Sequence, residues 1–323
     1  MVHTKAIDIY KAIGIALVVV GHVYQNQLSE VIYLFHMPMF FILSGYLFNP
    51  NYGLSEYINK KSLSLLIPYI TFLLIFTTTL SLKPILHADF AGLIQLWVNA
   101  VKGGTYLTGL MTVFWFVTCL LATQSIFAAL QKYLNPTALT AVMGLLLLIQ
   151  YWINFTASST ASWWLGLNAL TLSLPLFYLG FICRQKHIFD SAVVGYCVAL
   201  LWMGLSVHLF IAPQWYQLDM KFAQINSISL VMLYAVSASL SIMFICQKLV
   251  QATGIARLLC PLGAASLTIM YLHQPFHFLT KHYLQQNLMI VSLIALLCPL
   301  GLHYLFTKKS LLSRCFLGRR VTA

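Results

Sequence analysis

Apolar runs about 18 to 22 residues long recur down the chain, separated by short polar clusters, and each is long enough to cross a bilayer as a helix. Ten such runs begin near residues 6, 31, 62, 111, 138, 163, 191, 225, 258 and 287. Backbone N–H and C=O groups find no partners in lipid, so a spanning segment must satisfy them internally. The pattern therefore predicts an all-α polytopic membrane protein of about ten transmembrane helices, forming one integral membrane domain over residues 1–323. One stretch departs from it. Between Phe90 and Val101, Leu93, Ile94, Trp97, Val98 and Val101 recur at i, i+3 and i+4 spacing over too short a distance to span. It is expected to lie on the outer interface as an amphipathic helix.

The first run, IDIYKAIGIALVVVGH, carries three polar residues that need a reason: Asp8, Lys11 and His22. At about 100° per residue, Lys11 and His22 fall only about 20° apart in azimuth, and at about 1.5 Å per residue they are separated by about 16 Å along the axis. Asp8 lies one turn before Lys11, where a carboxylate and an ammonium can meet. Snorkelling of Lys11 and a satisfied core histidine would account for either residue alone. Their shared face favours a functional lining, because ionisable groups inside spanning helices are costly. The run is expected to be retained as a first span and not cleaved as a signal peptide: Asp8 and Lys11 interrupt it, no small-residue cleavage site follows, and the next apolar run begins within about eight residues.

Composition changes the picture in two ways. Sixty per cent of the 323 residues are hydrophobic, 7% are charged, and the mean hydropathy is +0.86, which excludes an ordinary soluble domain. The net charge of +12 does not point to nucleic acid, because the basic residues sit scattered at the ends of runs instead of forming a stripe. With both termini cytoplasmic, Lys60, Lys61, Lys132, Arg184, Lys186, Lys248, Arg257, Lys308, Lys309, Arg314, Arg319 and Arg320 fall inside, against Lys83, Lys102, Lys221 and Lys281 outside. That is the positive-inside bias, and counting Phe90 to Val101 as a span would invert Arg184 and Lys186. The aromatic pairs Tyr151–Trp152, Trp163–Trp164 and Trp215–Tyr216 then fall at outer ends, as an interfacial belt would. The seven cysteines have no metal-ligand spacing and are expected as free thiols, with no metal site.

The second run reads YLFHMPMFFILSGYLF. Pro38 is expected to open or kink its helix, Ser44 and Gly45 offer a small surface for close helix approach, and His36 falls near the outer half shared with His22. Packing is the simpler account of each residue taken alone.

YKAIGIALVVVGH followed by FHMPMFFILSGYLF resembles the acyltransferase-3 family of integral membrane acyltransferases. Lys11 and His22 match that family's basic residue, ten-residue spacer and histidine. The resemblance continues through LLIPY (Leu65 to Tyr69), Trp115 and Phe116 in VFWFV, and LGAASLTIMYLHQPF with Ser266 and His273, so it covers nearly the whole chain. One position departs: Ser64 stands where relatives often carry arginine, leaving Lys60 and Lys61 as the nearest bases. The chain is expected to resemble the compact, stand-alone members.

The resemblance implies O-acetylation in polysaccharide biosynthesis. An acyl group, most often acetyl from acetyl-CoA, would pass to a sugar hydroxyl of a cell-surface glycan or its lipid-linked precursor at a bacterial inner or plasma membrane. The residues are consistent with it. A buried neutral imidazole such as His22 can take the proton of a hydroxyl attacking a thioester, or carry the acyl group transiently. Lys11 with Lys60 and Lys61 would meet the anionic donor from the cytoplasmic side, with Asp8 holding Lys11. Candidate catalytic residues are His22, His36 and His273. Candidate donor-binding residues are Lys11, Asp8, Lys60, Lys61, Ser44 and Trp115, the last of which could wall the acyl site or simply pack. His277 and His282 are expected at the interface. Acceptor specificity would lie in the outer loops 83–110, 156–162 and 213–224. Expected partners are the acyl-CoA donor, the sugar acceptor and membrane lipid, with a homo-oligomer compatible and nucleic acid excluded. A secondary transporter or flippase is the alternative, opposed by the absence of a visible repeat and by Asp8 being the sole carboxylate expected in a span. A catalytically dead scaffold is a third.

Overall fold

A computed structural model describes residues 2–156, 163–283 and 287–319, so part of the 156–162 loop and Arg320 lie outside the described residues. The chain is all-α apart from one small hairpin. Helix α1 (Val2–Tyr24) is followed by α2 (Gln27–Tyr33), α3 (His36–Tyr46), α4 (Leu54–Leu86) and α5 (Phe90–Lys102). Next come α6 (Trp115–Tyr133), α7 (Pro136–Thr156), α8 (Leu170–Gln185) and α9 (Ala192–Ile211), then the antiparallel strands β1 (Leu218–Asp219) and β2 (Gln224–Ile225). Helices α10 (Ile228–Leu249), α11 (Thr253–Ala264), α12 (Ser266–Tyr283), α13 (Leu288–Thr307) and α14 (Ser310–Leu317) complete it. Among the described residues, nine stretches are long and apolar enough to cross a membrane, and the bent pair α11–α12 makes ten.

Local chemistry sets several boundaries. The Asn26 side chain accepts from the Leu28 N–H at the start of α2, and Ser29 bonds back to the Asn26 N–H, a reciprocal cap. Pro38 lies in the first turn of α3, where a missing N–H costs nothing, so the second run is split into α2 and α3 across Leu34 and Phe35. The ninth run is likewise two helices meeting at 76°, with Ala265 between them. Helix α4 starts at Leu54, about two turns ahead of the expected position, so Lys60 and Lys61 ride on its first turns and not on a loop. Helix α5 forms over the stretch expected to be amphipathic: Asp89 accepts from the Gly92 N–H at its start, and Trp97 Nε1 donates to Ser81 Oγ at 3.1 Å. Phe90, Ile94 and Val101 face outward.

Close helix approach relies on missing side chains. A Cβ on Gly45 would come within 1.8 Å of the Phe177 carbonyl oxygen, and one on Gly180 within 1.9 Å of that of Ile42, so α3 and α8 touch backbone to backbone. Gly263 meets the Asp8 carbonyl in the same way, and this contact seats α11 against α1. Helix α1 sits centrally, with Tyr10, Ile9, Ile15 and Val19 fully buried, whereas α9 buries Gly195 and otherwise faces largely outward. The β1–β2 hairpin is packed into the bundle: Leu218, Met220, Ala223 and Ile225 are buried. Gln150 Nε2 donates to the Ala223 carbonyl, Asn154 Nδ2 to that of Ile225, and Asn168 Nδ2 to that of Lys221.

Three sequence expectations need correction. Tyr216 does not join the interfacial belt with Trp215; it is buried, with its ring edge against Tyr234 and its hydroxyl bonded to His208 and the Leu205 carbonyl. His277 is 1% exposed and not interfacial, because position 277 of α12 faces the bundle. Asp8 is not the sole carboxylate in a span, since Glu30 falls on α2 within a candidate span.

Candidate active site

Helix α1 places Lys11 and His22 on the wall of one cavity of about 700 Å³. At the Lys11 end it is joined by Lys61 of α4 and by Ser44 and Leu47 of α3. Ile15, Val18, Phe40, Trp115 and Phe116 line an apolar waist. At the far end stand His22, Gln25, Tyr33 and His36, with Asp219 and Lys221 of the hairpin and Gln274 of α12. The twist that aligns positions 11 and 22 on one face thus sets a cation and an imidazole at different depths of one space.

The inner end is electrostatically simple. Lys11 Nζ meets Asp8 Oδ1 at 3.5 Å, an i, i+3 pair with both side chains roughly a quarter exposed. Lys61 lines the cavity with its ammonium 5.6 Å from the Tyr57 ring centre. Ser44 Oγ accepts from Gln124 Nε2 at 2.6 Å, which ties α3 to α6 beside the cavity. Lys60 is not brought into the site; its ammonium bonds the Tyr52 hydroxyl at 3.2 Å on the exposed side of α4. Asp8 does not line the cavity itself and reaches it only through Lys11.

The outer end is built on histidines oriented by backbone carbonyls three or four residues earlier; for His36 that carbonyl lies across the break, on α2. His22 Nδ1 lies 2.8 Å from the Val18 carbonyl, His36 Nδ1 2.9 Å from that of Ile32, and His273 Nδ1 2.8 Å from that of Met270. A carbonyl only accepts, so each Nδ1 carries the proton, and in the neutral ring Nε2 keeps its lone pair. His22 therefore holds a free basic nitrogen on the cavity wall. Tyr33 stands between two of the rings, 6.0 Å from His22 and 5.2 Å from His36 by centroids, with its hydroxyl donating to the Gly21 carbonyl. His273 does not line the cavity. It is wholly buried behind His22, ring centres 5.1 Å apart, and its Nε2 has no partner among the described residues.

Several cavity residues escaped the sequence reading of the site, Tyr33, Gln274, Asp219 and Lys221 among them. Tyr33 closes α2 and His36 opens α3, so no single-helix spacing pairs them. Gln274 follows His273 directly and is 2% exposed. Asp219 and Lys221 belong to the loop 213–224, expected to carry acceptor specificity, where Lys221 itself reads as a topology marker and only the alternation of Leu218, Met220 and Phe222 hints at a buried hairpin. Burial raises the Asp219 carboxyl and lowers the Lys221 ammonium from their ordinary values, each partly offset by the other's charge and, for Asp219, by backbone N–H groups. Among the described residues, no cluster of three or more His, Cys, Asp or Glu side chains could hold a metal ion.

Together these features define a multi-pass helical membrane protein with a cavity that is cationic at one end and carries a free imidazole nitrogen near the other. The model of a family described as an acyltransferase domain matches residues 4–307. The chain belongs to the acyltransferase-3 family and is a membrane acyltransferase. No curated protein and no solved structure matches it.

Proposed function

We propose that the protein transfers an acetyl group from acetyl-CoA to a sugar hydroxyl of a cell-surface polysaccharide or its lipid-linked precursor. The observation that carries this reading is the single cavity holding Lys11 and Lys61 at one end and the free Nε2 of His22 near the other. The two ends suit two substrates of opposite provenance. Coenzyme A is phosphate-rich and cytoplasmic, and ammonium groups at the inner end attract phosphate. Asp8 holds Lys11 through its ion pair, Ser44 lies beside the phosphate-bearing part of the donor at the inner end, and Trp115 at the waist lies toward its acyl-bearing part. Lys60 contributes only to the potential at the inner mouth.

In the proposed reaction the sugar hydroxyl oxygen attacks the thioester carbonyl carbon as His22 Nε2 takes the hydroxyl proton. The tetrahedral intermediate collapses, the C–S bond breaks, and the imidazolium returns its proton to the departing sulfur. Ester and free thiol result, with no net proton gained or lost. His36 serves the acceptor side through Tyr33. His273 is a positioning residue whose ring packs edge-on against that of His22 from behind, with centres 5.1 Å apart. In a variant of the scheme His22 Nε2 carries the acetyl group between the two substrates, and the same residues serve.

The test is purified full-length protein with radiolabelled acetyl-CoA. Release of free CoA that depends on added sugar acceptor, with label appearing in the glycan, is the expected result. Accumulation of a solute in vesicles without CoA turnover would overturn the reading in favour of a carrier.

A further inference from the structure

The β1–β2 hairpin brings one lysine to the outer end of the cavity, and the hydrogen bonds of that lysine are unusual for a topology marker. Lys221 Nζ donates to the Leu107 carbonyl at 2.6 Å and to Thr112 Oγ1 at 3.1 Å. An ammonium has three N–H donors, so one remains, and the side chain lines the same cavity as His22 and Tyr33. Asp219 offsets part of this charge through space but forms no ion pair with it. Asp219, two residues earlier, turns its Oδ1 back to the Phe222 N–H at 3.2 Å, and no carboxylate lies within ion-pair distance of Lys221 among the described residues.

The position of Lys221 is also fixed from behind. Its own carbonyl accepts from Asn168 Nδ2 at 2.8 Å, and the next hairpin residue but one, Ala223, accepts from Gln150 Nε2 at 2.8 Å. Leu107 and Thr112, Gln150 of α7, and Asn168 therefore converge with the hairpin to hold one ammonium at the cavity wall. A lysine serving only membrane topology needs none of this, since its charge acts from anywhere in the flanking loop.

We propose that Lys221 is a specificity-determining residue that binds an oxyanion on the acceptor, a carboxylate or a phosphate carried close to the hydroxyl that is acylated. The inference rests on the proposed function, because it assigns the acceptor's chemical class to the outer end of the same site. A half-buried ammonium with one free donor favours such a group through a charge-assisted hydrogen bond. The nearby Asp219 adds negative potential that disfavours acceptors presenting an anion elsewhere.

The experiment is a charge-removal cycle on full-length protein, with radiolabelled acetyl-CoA and the cell's own surface glycan as acceptor. The glycan is used untreated, after carbodiimide–borohydride reduction of its carboxylates, or after removal of its phosphates with hydrofluoric acid. Wild-type transfer at subsaturating acceptor is expected to fall about tenfold or more after one of the two treatments, and which one identifies the anion. In Lys221→Gln the untreated glycan should fall to that same low rate, with no further loss on treatment and with the KM for acetyl-CoA unchanged. Lys221→Arg should recover most of the loss. Equal proportional losses on treatment in wild type and Lys221→Gln would overturn the proposal, as would full activity of Lys221→Gln on the untreated glycan. Wild-type protein that transfers no acetyl group to any form of the glycan would instead overturn the proposed function itself, and this inference with it.

Discussion

The two ends of the cavity are built in opposite ways. The inner end takes its polar groups from the starts of two helices: Lys11 and its partner Asp8 on α1, and Lys61 on α4. Their charges are partly exposed, and the pairing of Asp8 with Lys11 follows from helical spacing alone. The outer end draws on α1, α2, α3, α12 and the hairpin between α9 and α10, so His22, Tyr33, His36, Gln274 and Lys221 come from distant parts of the chain. Its groups are held by second contacts: His22 by a carbonyl of its own helix, His36 by the Ile32 carbonyl of α2, Tyr33 by Gly21, and Lys221 by Leu107 and Thr112. Under the proposed function, the inner end only has to attract a charged donor, which loose, solvated cations can do, whereas the outer end has to hold a reacting hydroxyl against a base, which takes oriented groups.

That contrast is open to direct attack, and the largest effect is expected at the outer end. Replacing His22 with alanine removes the free basic nitrogen while leaving Lys11 and Lys61 in place. Acetyl transfer should fall by about 10²–10⁴ in kcat, with the KM for acetyl-CoA little changed. Wild-type turnover by a correctly inserted His22→Ala protein would show that the imidazole is not the base.

Gly263→Ala tests whether the two ends depend on one seat for α1. Its new Cβ would press within 1.9 Å of the Asp8 carbonyl oxygen, so α11 and α1 must separate. A stability loss of about 1–3 kcal/mol is expected, read as a lower melting temperature in detergent, with donor affinity and turnover both impaired. Impairment of only one would mean that the ends are seated independently.

A smaller effect is expected at the inner end. Lys11→Met should raise the KM for acetyl-CoA about tenfold with kcat nearly preserved, as for loss of one partly solvated contact to phosphate. Lys60→Gln is the matching control. Its ammonium is turned to Tyr52 and away from the cavity, so the same KM should move by no more than about twofold. A Lys60→Gln effect as large as that of Lys11→Met would mean that the donor lies outside the cavity, along the exposed side of α4.

Legibility in the sequence follows the same division. Helix α1 could be read almost entirely, because Asp8, Lys11 and His22 sit at spacings that a helix converts directly into a shared face. The ten spans were visible too, since their length is imposed by bilayer thickness and not by packing. Breaks were harder. Pro38 announced the one before α3, but nothing in LGAAS required α11 and α12 to meet at 76° around Ala265. Burial of His277 and Tyr216 was likewise invisible, because a polar aromatic near a span end fits an interface and a core equally well until its neighbours are known.

The sequence alone determined the membrane class, the number of spans and the family resemblance, and it set a cation and an imidazole on one face of α1. These follow from hydropathy and from the fixed geometry of a single helix. Only the tertiary structure decided which charges reach the cavity: Lys61 and not its neighbour Lys60, and Lys221 from the outer loop 213–224, which was expected to carry acceptor specificity without any side chain in it standing out. The physical reason is that helical periodicity relates residues a few turns apart. The placement of a loop ammonium beside a histidine 199 residues earlier depends on side-chain contacts from Asn168, Gln150 and Thr112 that no local pattern encodes.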